Sequence, residues 1–199
     1  MSLDVSRETT ERLAIHANLL RKWNPKINLV SSDTLEALEA RHIEDSAQVL
    51  SLALENARSW VDLGSGAGFP GLVVAALAAE RKPALSVSLI EADLRKATFL
   101  RTVAREAGLR VTVLAERIEE AAPQGADVVS ARALAPLPKL LPLAARHMGA
   151  GGIGLFHKGA RHAEETRAAL ALWQFRCETV ASKTDAAAVI MKISELSVE

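Results

Sequence analysis

Cysteine is nearly missing from this sequence: Cys177 is the only one among 199 residues. A lone cysteine forms no intrachain disulfide and supplies no multi-cysteine zinc site, which fits a reducing compartment and a cytoplasmic location. Net charge is missing too, because 24 basic residues meet 24 acidic ones. That balance excludes the global basic excess of a histone-like nucleic-acid binder and an acidic tail, while a local basic face remains compatible with it. Long apolar runs are also lacking. The stretch 72–79 is too short to cross a bilayer, and the apolar region 131–145 is interrupted by Arg132, Pro136, Pro138, Lys139 and Pro142. The opening residues, MSLDVSRETTERLA, are polar and acidic where a secretory signal needs an unbroken apolar segment, so neither a targeting segment nor membrane insertion is expected. What is present is 49% hydrophobic residues, enough to build one domain with a short extension.

Apolar spacing divides the chain at about residue 57. Residues 1–57 read as a helical extension packed on the core, and 58–199 as the main domain. In the extension, Leu13, Ala17 and Leu20 recur at helix spacing and stop near Trp23, Asn24 and Pro25. Asp33 is placed to cap a second helix through Leu35, Leu38, Ile43, Val49 and Leu50, after a polar connector with Pro25, Asn28, Ser31 and Ser32. Beyond Arg58, strands expected at 60–63, 85–90, 111–114, 126–130 and 153–157 alternate with helices at 70–81, 94–107, 137–147 and 161–173. Such alternation predicts right-handed crossovers, hence an α/β fold: a Rossmann-like, mostly parallel sheet with helices on both faces. The last segments, 175–182 and 187–193, break the pattern and predict a C-terminal antiparallel hairpin.

The most informative stretch is Val61-Asp62-Leu63-Gly64-Ser65-Gly66-Ala67-Gly68-Phe69-Pro70-Gly71, where the first strand meets its helix. Glycines there permit a tight turn and close approach of a ligand to the main chain. They do not separate a nicotinamide cofactor from another adenosine-containing ligand. Asp62 and Glu91 sharpen the choice. A carboxylate just before the first glycine repels a pyrophosphate but favours an ammonium or sulfonium. Glu91, closing the second strand, is placed to accept hydrogen bonds from both ribose hydroxyls. Together they favour S-adenosyl-L-methionine as the cofactor over a dinucleotide.

The glycine loop with its Phe-Pro-Gly ending, Ser130-Ala131-Arg132-Ala133, Asn28-Leu29-Val30 and His42-Ile43-Glu44-Asp45-Ser46 together resemble the bacterial methyltransferase family RsmG, also called GidB, over nearly the whole chain. That resemblance implies a class I methyltransferase fold, S-adenosylmethionine, and methylation of N7 of one guanine in the decoding-region part of 16S ribosomal RNA. Gly66 is a cofactor-binding candidate from the glycine loop itself; the resemblance also implies that Gly64 and Phe69 line the cofactor site, that Ile118 and Glu119 flank the adenine, and that Arg132 lies beside the cofactor. The expected partner is small-subunit ribosomal RNA or the 30S particle, with a monomer as the expected state.

The chemistry agrees with what the chain lacks. Guanine N7 carries an in-plane lone pair and no proton, so its methylation needs no general base, and positioning and electrostatics suffice. An exocyclic-amine enzyme would carry an Asn/Asp-Pro-Pro-aromatic element where Ser130-Ala131-Arg132-Ala133 stands. Cys177, in the final hairpin, has no motif around it, and a small buried residue is its expected role. Arg132, His42 and Asp45 are the candidate catalytic residues; Asn28, Ser46 and Lys158 are the candidate RNA contacts. His42, Asp45 and Ser46 share one face at i, i+3 and i+4 spacing, and no second ligand pair makes that face a metal site. Further basic residues, including Arg21, Lys22, Lys26, Arg95, Lys96, Arg101 and Arg105, form a phosphate track only if they converge. The expectation is therefore that positive charge gathers at the carboxyl edge of the sheet, with acids mostly opposite. Two rivals stay open: a class I methyltransferase for another RNA or a small molecule, and a non-catalytic, cofactor-binding ribosome assembly factor.

Overall fold

The computed structural model describes residues 4–31, 35 and 39–198. Asp33 and Leu38, expected to open the second helix, lie outside the described residues.

The first helix, α1 (Arg7–Ile27), starts where the Ser6 hydroxyl accepts the Thr9 amide and where Glu80 accepts from the Thr9 hydroxyl at 2.6 Å. It does not stop at Asn24 and Pro25 as the sequence suggested. It runs one turn further, because Asn28 takes the left-handed conformation (φ 49°) and donates its amide to the Asn24 carbonyl. The Asn24 side chain then holds the turn, accepting the Leu29 and Val30 amides and donating to the Val30 carbonyl. A π-helical turn (Glu39–Glu44) leads into α2 (Asp45–Ser51).

Seven strands follow: β1 (Ser59–Leu63), β2 (Ser86–Ile90), β3 (Val111–Leu114), β4 (Ala126–Arg132), β5 (Met148–Lys158), β6 (Trp173–Ala181) and β7 (Val189–Val198). Between them lie α3 (Gly71–Arg81), α4 (Leu94–Glu106), α5 (Leu137–His147) and α6 (His162–Leu170). The sheet order is β3-β2-β1-β4-β5-β7-β6, parallel except where β7 pairs antiparallel with both β5 and β6. This is the expected α/β fold with its C-terminal hairpin. Three boundaries differ by several residues. β7 runs to Val198 rather than ending at 193. β5 begins at Met148 rather than 153, and the expected helix 161–173 ends at Leu170, so that Trp173 opens β6.

Period-two alternation sends each strand's apolar residues to two cores. Trp60, Leu89, Val128 and Leu155 face α1, α3 and α4, while Val61, Leu63, Ile90 and Val129 face α5. The first core joins residues from both sides of position 57, including Leu13, Ala17, Leu20, Val73 and Leu77. Each fully buried leucine or valine among them stabilises by about 1.5–3 kcal/mol. The extension is thereby held against the back of the helix that carries the glycine loop. Cys177 is not the small core residue expected: β6 is the edge strand, and Cys177 is exposed on it.

Candidate active site

The glycine loop leaves the carboxyl end of β1 at the point where the chain order reverses between β1 and β4, the usual ligand crevice of an open α/β sheet. Gly64, Gly66 and Gly68 all have positive φ (65°, 51° and 88°), and a Cβ on Gly64 would come within 2.7 Å of the Leu134 side chain. The loop is tied down amide by amide. Ser65 donates to the Ile90 carbonyl, Gly66 to Glu91 Oε2 at 2.8 Å and Gly71 to Asp62 Oδ2 at 3.3 Å.

Asp62 lies beneath the loop, fully buried, rather than in the crevice. The Trp60 indole donates to Ser130 Oγ at 2.8 Å, and Ser130 in turn donates to Asp62 Oδ1 at 2.6 Å. Burial pushes the Asp62 carboxyl up to about 6, against the hydrogen bonds that favour its charge. Its inward bonds make it a support for the loop, not a wall of the cavity.

Phe69 is likewise turned inward. It is sandwiched between His16 and His42, with both ring centroids 4.8 Å away. His16, which sits in no sequence motif, is buried with Nε2 2.7 Å from the Ala67 carbonyl. Burial lowers its pKa to about 4, so the neutral ring donates to the loop. A histidine whose pKa is depressed from 6.5 on folding stabilises the native state fully above pH 6.5. That contribution is lost as the pH falls through 6.5 towards 4. The advantage of wild type over His16→Gln in chemical unfolding is therefore expected to shrink by up to about 3 kcal/mol between pH 7 and pH 4. An advantage independent of pH would show that His16 does not sit neutral against Ala67.

In front of the loop lies a trough of about 550 Å³, lined by Gly64, Gly66, Glu91, Ile118, Glu119 and Arg132 among others. Glu91 is 9% exposed and accepts from Gly66 on one oxygen and from Asp93 N on the other, both at 2.8 Å. Ile118 is fixed from behind, because its carbonyl is 2.9 Å from His147 Nε2, and Arg146 donates twice to the Ala121 carbonyl. Of the expected cofactor residues, Gly64, Gly66, Glu91, Ile118, Glu119 and Arg132 are thus brought to one trough. Asp62 and Phe69 sit behind it.

A second, smaller cavity of about 230 Å³ is lined by His42, Asp45, Arg132, His157, Thr184 and Asp185 among others. The two cavities share Arg132 and Ala133 as walls. Ala133 has φ 51°, a strained conformation for a residue with a Cβ, and it turns the chain out of β4 at this seam. Asp45 organises the small cavity. Its Oδ1 accepts from the Ser182 hydroxyl at 2.6 Å, and its Oδ2 lies 3.4 Å from His157 Nε2 and 3.9 Å from Arg132 Nη1. His157 pairs with Arg132 across β4 and β5, and burial lowers its pKa to about 4, so it is neutral near pH 7.

Ser46 is fully buried and lines neither cavity, so its helix position removes it from contact with a large substrate. Lys158 borders the small cavity, but its Nζ donates to the Ala135 carbonyl at 2.6 Å and to Glu165 Oε2 at 2.8 Å. The expected phosphate contact gives way to a partly buried ion pair that holds the start of α5, since Glu165 also accepts the Leu137 amide. Asn28 is exposed at the end of α1, as a cap, and lines neither cavity. Sequence inspection also missed Gln48, Ser182 and His157, whose partners are far away in the chain.

With this geometry in place, similarity to known proteins is decisive. Residues 9–191 match the family described as rRNA small subunit methyltransferase G. The ribosomal RNA small subunit methyltransferase G of Ruegeria sp. (strain TM1040) is 50% identical over 97% of this chain and 94% of its own length. That of Rhodospirillum centenum (strain ATCC 51521 / SW) is 52% identical over 97% of this chain and 87% of its own. The chain belongs to the rRNA small subunit methyltransferase G family. Solved structures place the fold among the methyltransferases. A methyltransferase from Geobacter sulfurreducens superimposes with a TM-score of 0.64 at 16% identity, covering 98% of this chain and 91% of that one. M. jannaschii TYW2 in complex with AdoMet does so with 0.56 at 15% identity, covering 79% and 76%.

For a family that acts on RNA the charge pattern is less polar than expected. Lys96, Arg117, Arg132 and Lys139 do line the trough, but Glu91 and Glu119 line it too, and Arg58 and Lys82 flank a cavity at the opposite edge of the sheet. Charge is therefore gathered locally around the trough and not separated between the two edges. Among the described residues, no helix is long and apolar enough to cross a membrane.

Proposed function

We propose that the protein transfers a methyl group from S-adenosylmethionine to N7 of a guanine in 16S ribosomal RNA, acting in the cytoplasm on the RNA or the 30S particle. The observation that carries this is the meeting of two cavities at Arg132 and Ala133: a trough beside a glycine loop and a smaller polar pocket. Family membership supports the substrate class, and the donor set supports the cofactor.

The trough residues fit that cofactor. A main chain bare of side chains at Gly64 and Gly66 admits close approach, Glu91 keeps acceptor capacity for ribose hydroxyls on both oxygens, and Ile118 offers an apolar wall to the adenine. When bound, S-adenosylmethionine supplies an electrophilic methyl carbon on a sulfonium. The chain's own part is to orient the base and exclude water. Arg132 is the candidate donor to guanine O6, which leaves N7 unblocked and orients the base; because positive charge builds on the guanine as the methyl group transfers, its contribution is positioning. Asp45 is a positioning residue, since it touches Arg132 and not the base; His42 packs on Phe69 and joins it in fixing the wall. No proton has to leave N7, so the neutral His157 is not required as a base.

Incubation with radiolabelled S-adenosylmethionine and either intact small subunits or free 16S RNA tests the proposal. Label in the RNA is expected. Measurable cofactor binding with no label in either RNA would leave a cofactor-binding assembly factor instead.

A further inference from the structure

The glycine loop is held from two sides. On the trough side Glu91, at the end of β2, accepts the Gly66 amide at 2.8 Å. On the far side the Ala67 carbonyl meets His16 Nε2 at 2.7 Å, a bond that α1 supplies from 51 positions earlier in the chain. The peptide joining Ala67 to Gly68 is thereby fixed at both of its polar groups, because the Gly68 amide donates to the Ser65 carbonyl at 2.7 Å.

That double hold answers a need set by the sequence. Glycine at 64, 66 and 68 gives the loop its positive φ angles, and the same freedom lets the loop leave them. Order has to come from bonds to the main chain, since a ligand that must itself order the loop binds more weakly. His16 is suited to supply it. Its ring is 2% exposed, so water does not compete for the Ala67 carbonyl, and it stacks on Phe69 with the planes 28° apart. Donation to a carbonyl requires the proton on Nε2, which leaves Nδ1 buried with no hydrogen-bond partner among the described residues. The rest of this face of α1 is apolar, with Leu13, Ala17 and Leu20 buried. A polar ring in that setting costs desolvation, and the one hydrogen bond that offsets the cost goes to the loop.

Building on the placing of the cofactor in the trough, we infer that His16 is a positioning residue for S-adenosylmethionine: it fixes the Ala67 carbonyl, and through it the main chain of residues 64–68 beside which the cofactor binds. The N-terminal extension then acts on cofactor affinity through this one side chain, although none of the residues lining the trough precedes Gly64.

Calorimetric titration of the protein with S-adenosylmethionine tests the inference. His16→Leu, which removes the donor, is expected to raise the cofactor Kd about 3- to 10-fold, the range for one neutral hydrogen bond. His16→Phe, which keeps a ring against Phe69 but has no donor, should show the same loss and stands in if the leucine variant does not fold. His16→Gln, whose side-chain amide carries an N–H to similar reach, should stay within about 2-fold of wild type. Leu13→Ala weakens the same helix face but removes no hydrogen bond to the loop; it should lower the melting temperature and leave the Kd unchanged. In turnover, His16→Leu should raise KM for S-adenosylmethionine, while kcat at saturating cofactor and KM for the small subunit keep their wild-type values. Wild-type affinity in His16→Leu and His16→Phe, or a loss as large in His16→Gln or in Leu13→Ala, would overturn the inference. Wild-type affinity in Glu91→Ala would instead overturn the placing of the cofactor in the trough on which it rests.

Discussion

Replacing Arg132 by alanine is expected to lower kcat/KM for methyl transfer to the small subunit by about 100-fold or more, with little effect on folding. The size follows from losing the group that orients the base for in-line attack, because a misplacement of about 1 Å costs roughly 10²-fold in rate. Folding should be spared because the Arg132 side chain is 21% exposed and its ion pair with Asp45 is long, at 3.9 Å. Such partly exposed pairs contribute about 0–1 kcal/mol. Asp45 also retains Ser182 and His157 as neighbours after the change. Arg132→Lys should recover only part of the rate, because a lysine ammonium does not reproduce the planar fork of the guanidinium. Single-turnover rates with excess enzyme, alongside chemical unfolding, check both halves. A variant of normal rate would remove Arg132 from the reaction.

Glu91→Ala should act on the other cavity. The carboxylate accepts Gly66 N and Asp93 N and lines the trough, so its loss both loosens the glycine loop and deletes the acceptor proposed for the ribose. Charged hydrogen bonds of this kind are worth about 1.5–3 kcal/mol, which corresponds to about 10- to 100-fold weaker binding of S-adenosylmethionine. Calorimetric titration of the free protein reads this directly. The contrast with Arg132 is informative: Glu91→Ala should raise the cofactor Kd, while saturating cofactor should restore much of its rate. Equal cofactor affinity in wild type and Glu91→Ala would move the ribose away from β2.

Local patterns in the chain carried most of the fold. Strand spacing between Trp60 and His157 marks the parallel sheet, and the glycine run marks its crevice, because both are dictated by short-range periodicity and backbone freedom. Errors appear where tertiary contacts override local preference. Pro25 reads as a stop, yet α1 continues to Ile27 because Asn28 and the Asn24 side chain close the turn beyond it. Lys158 reads as a solvent-facing cation at a strand end, yet α6 delivers Glu165 to it. Cys177 reads as a small core residue because its place at the sheet edge depends on strand order. For the site, Gly64, Glu91 and Arg132 are legible because each sits in a motif at a strand end. His16, Gln48, His157 and Ser182 are not, since their partners lie 51 to 137 positions away and only folding brings them together.

The most direct test of the account is a mass map of 16S RNA after reaction of small subunits with the purified protein and S-adenosylmethionine. The account predicts one added methyl group, on N7 of a single guanine, and its disappearance with Arg132→Ala. A methyl group on another atom or base, or several sites modified alike, would contradict it.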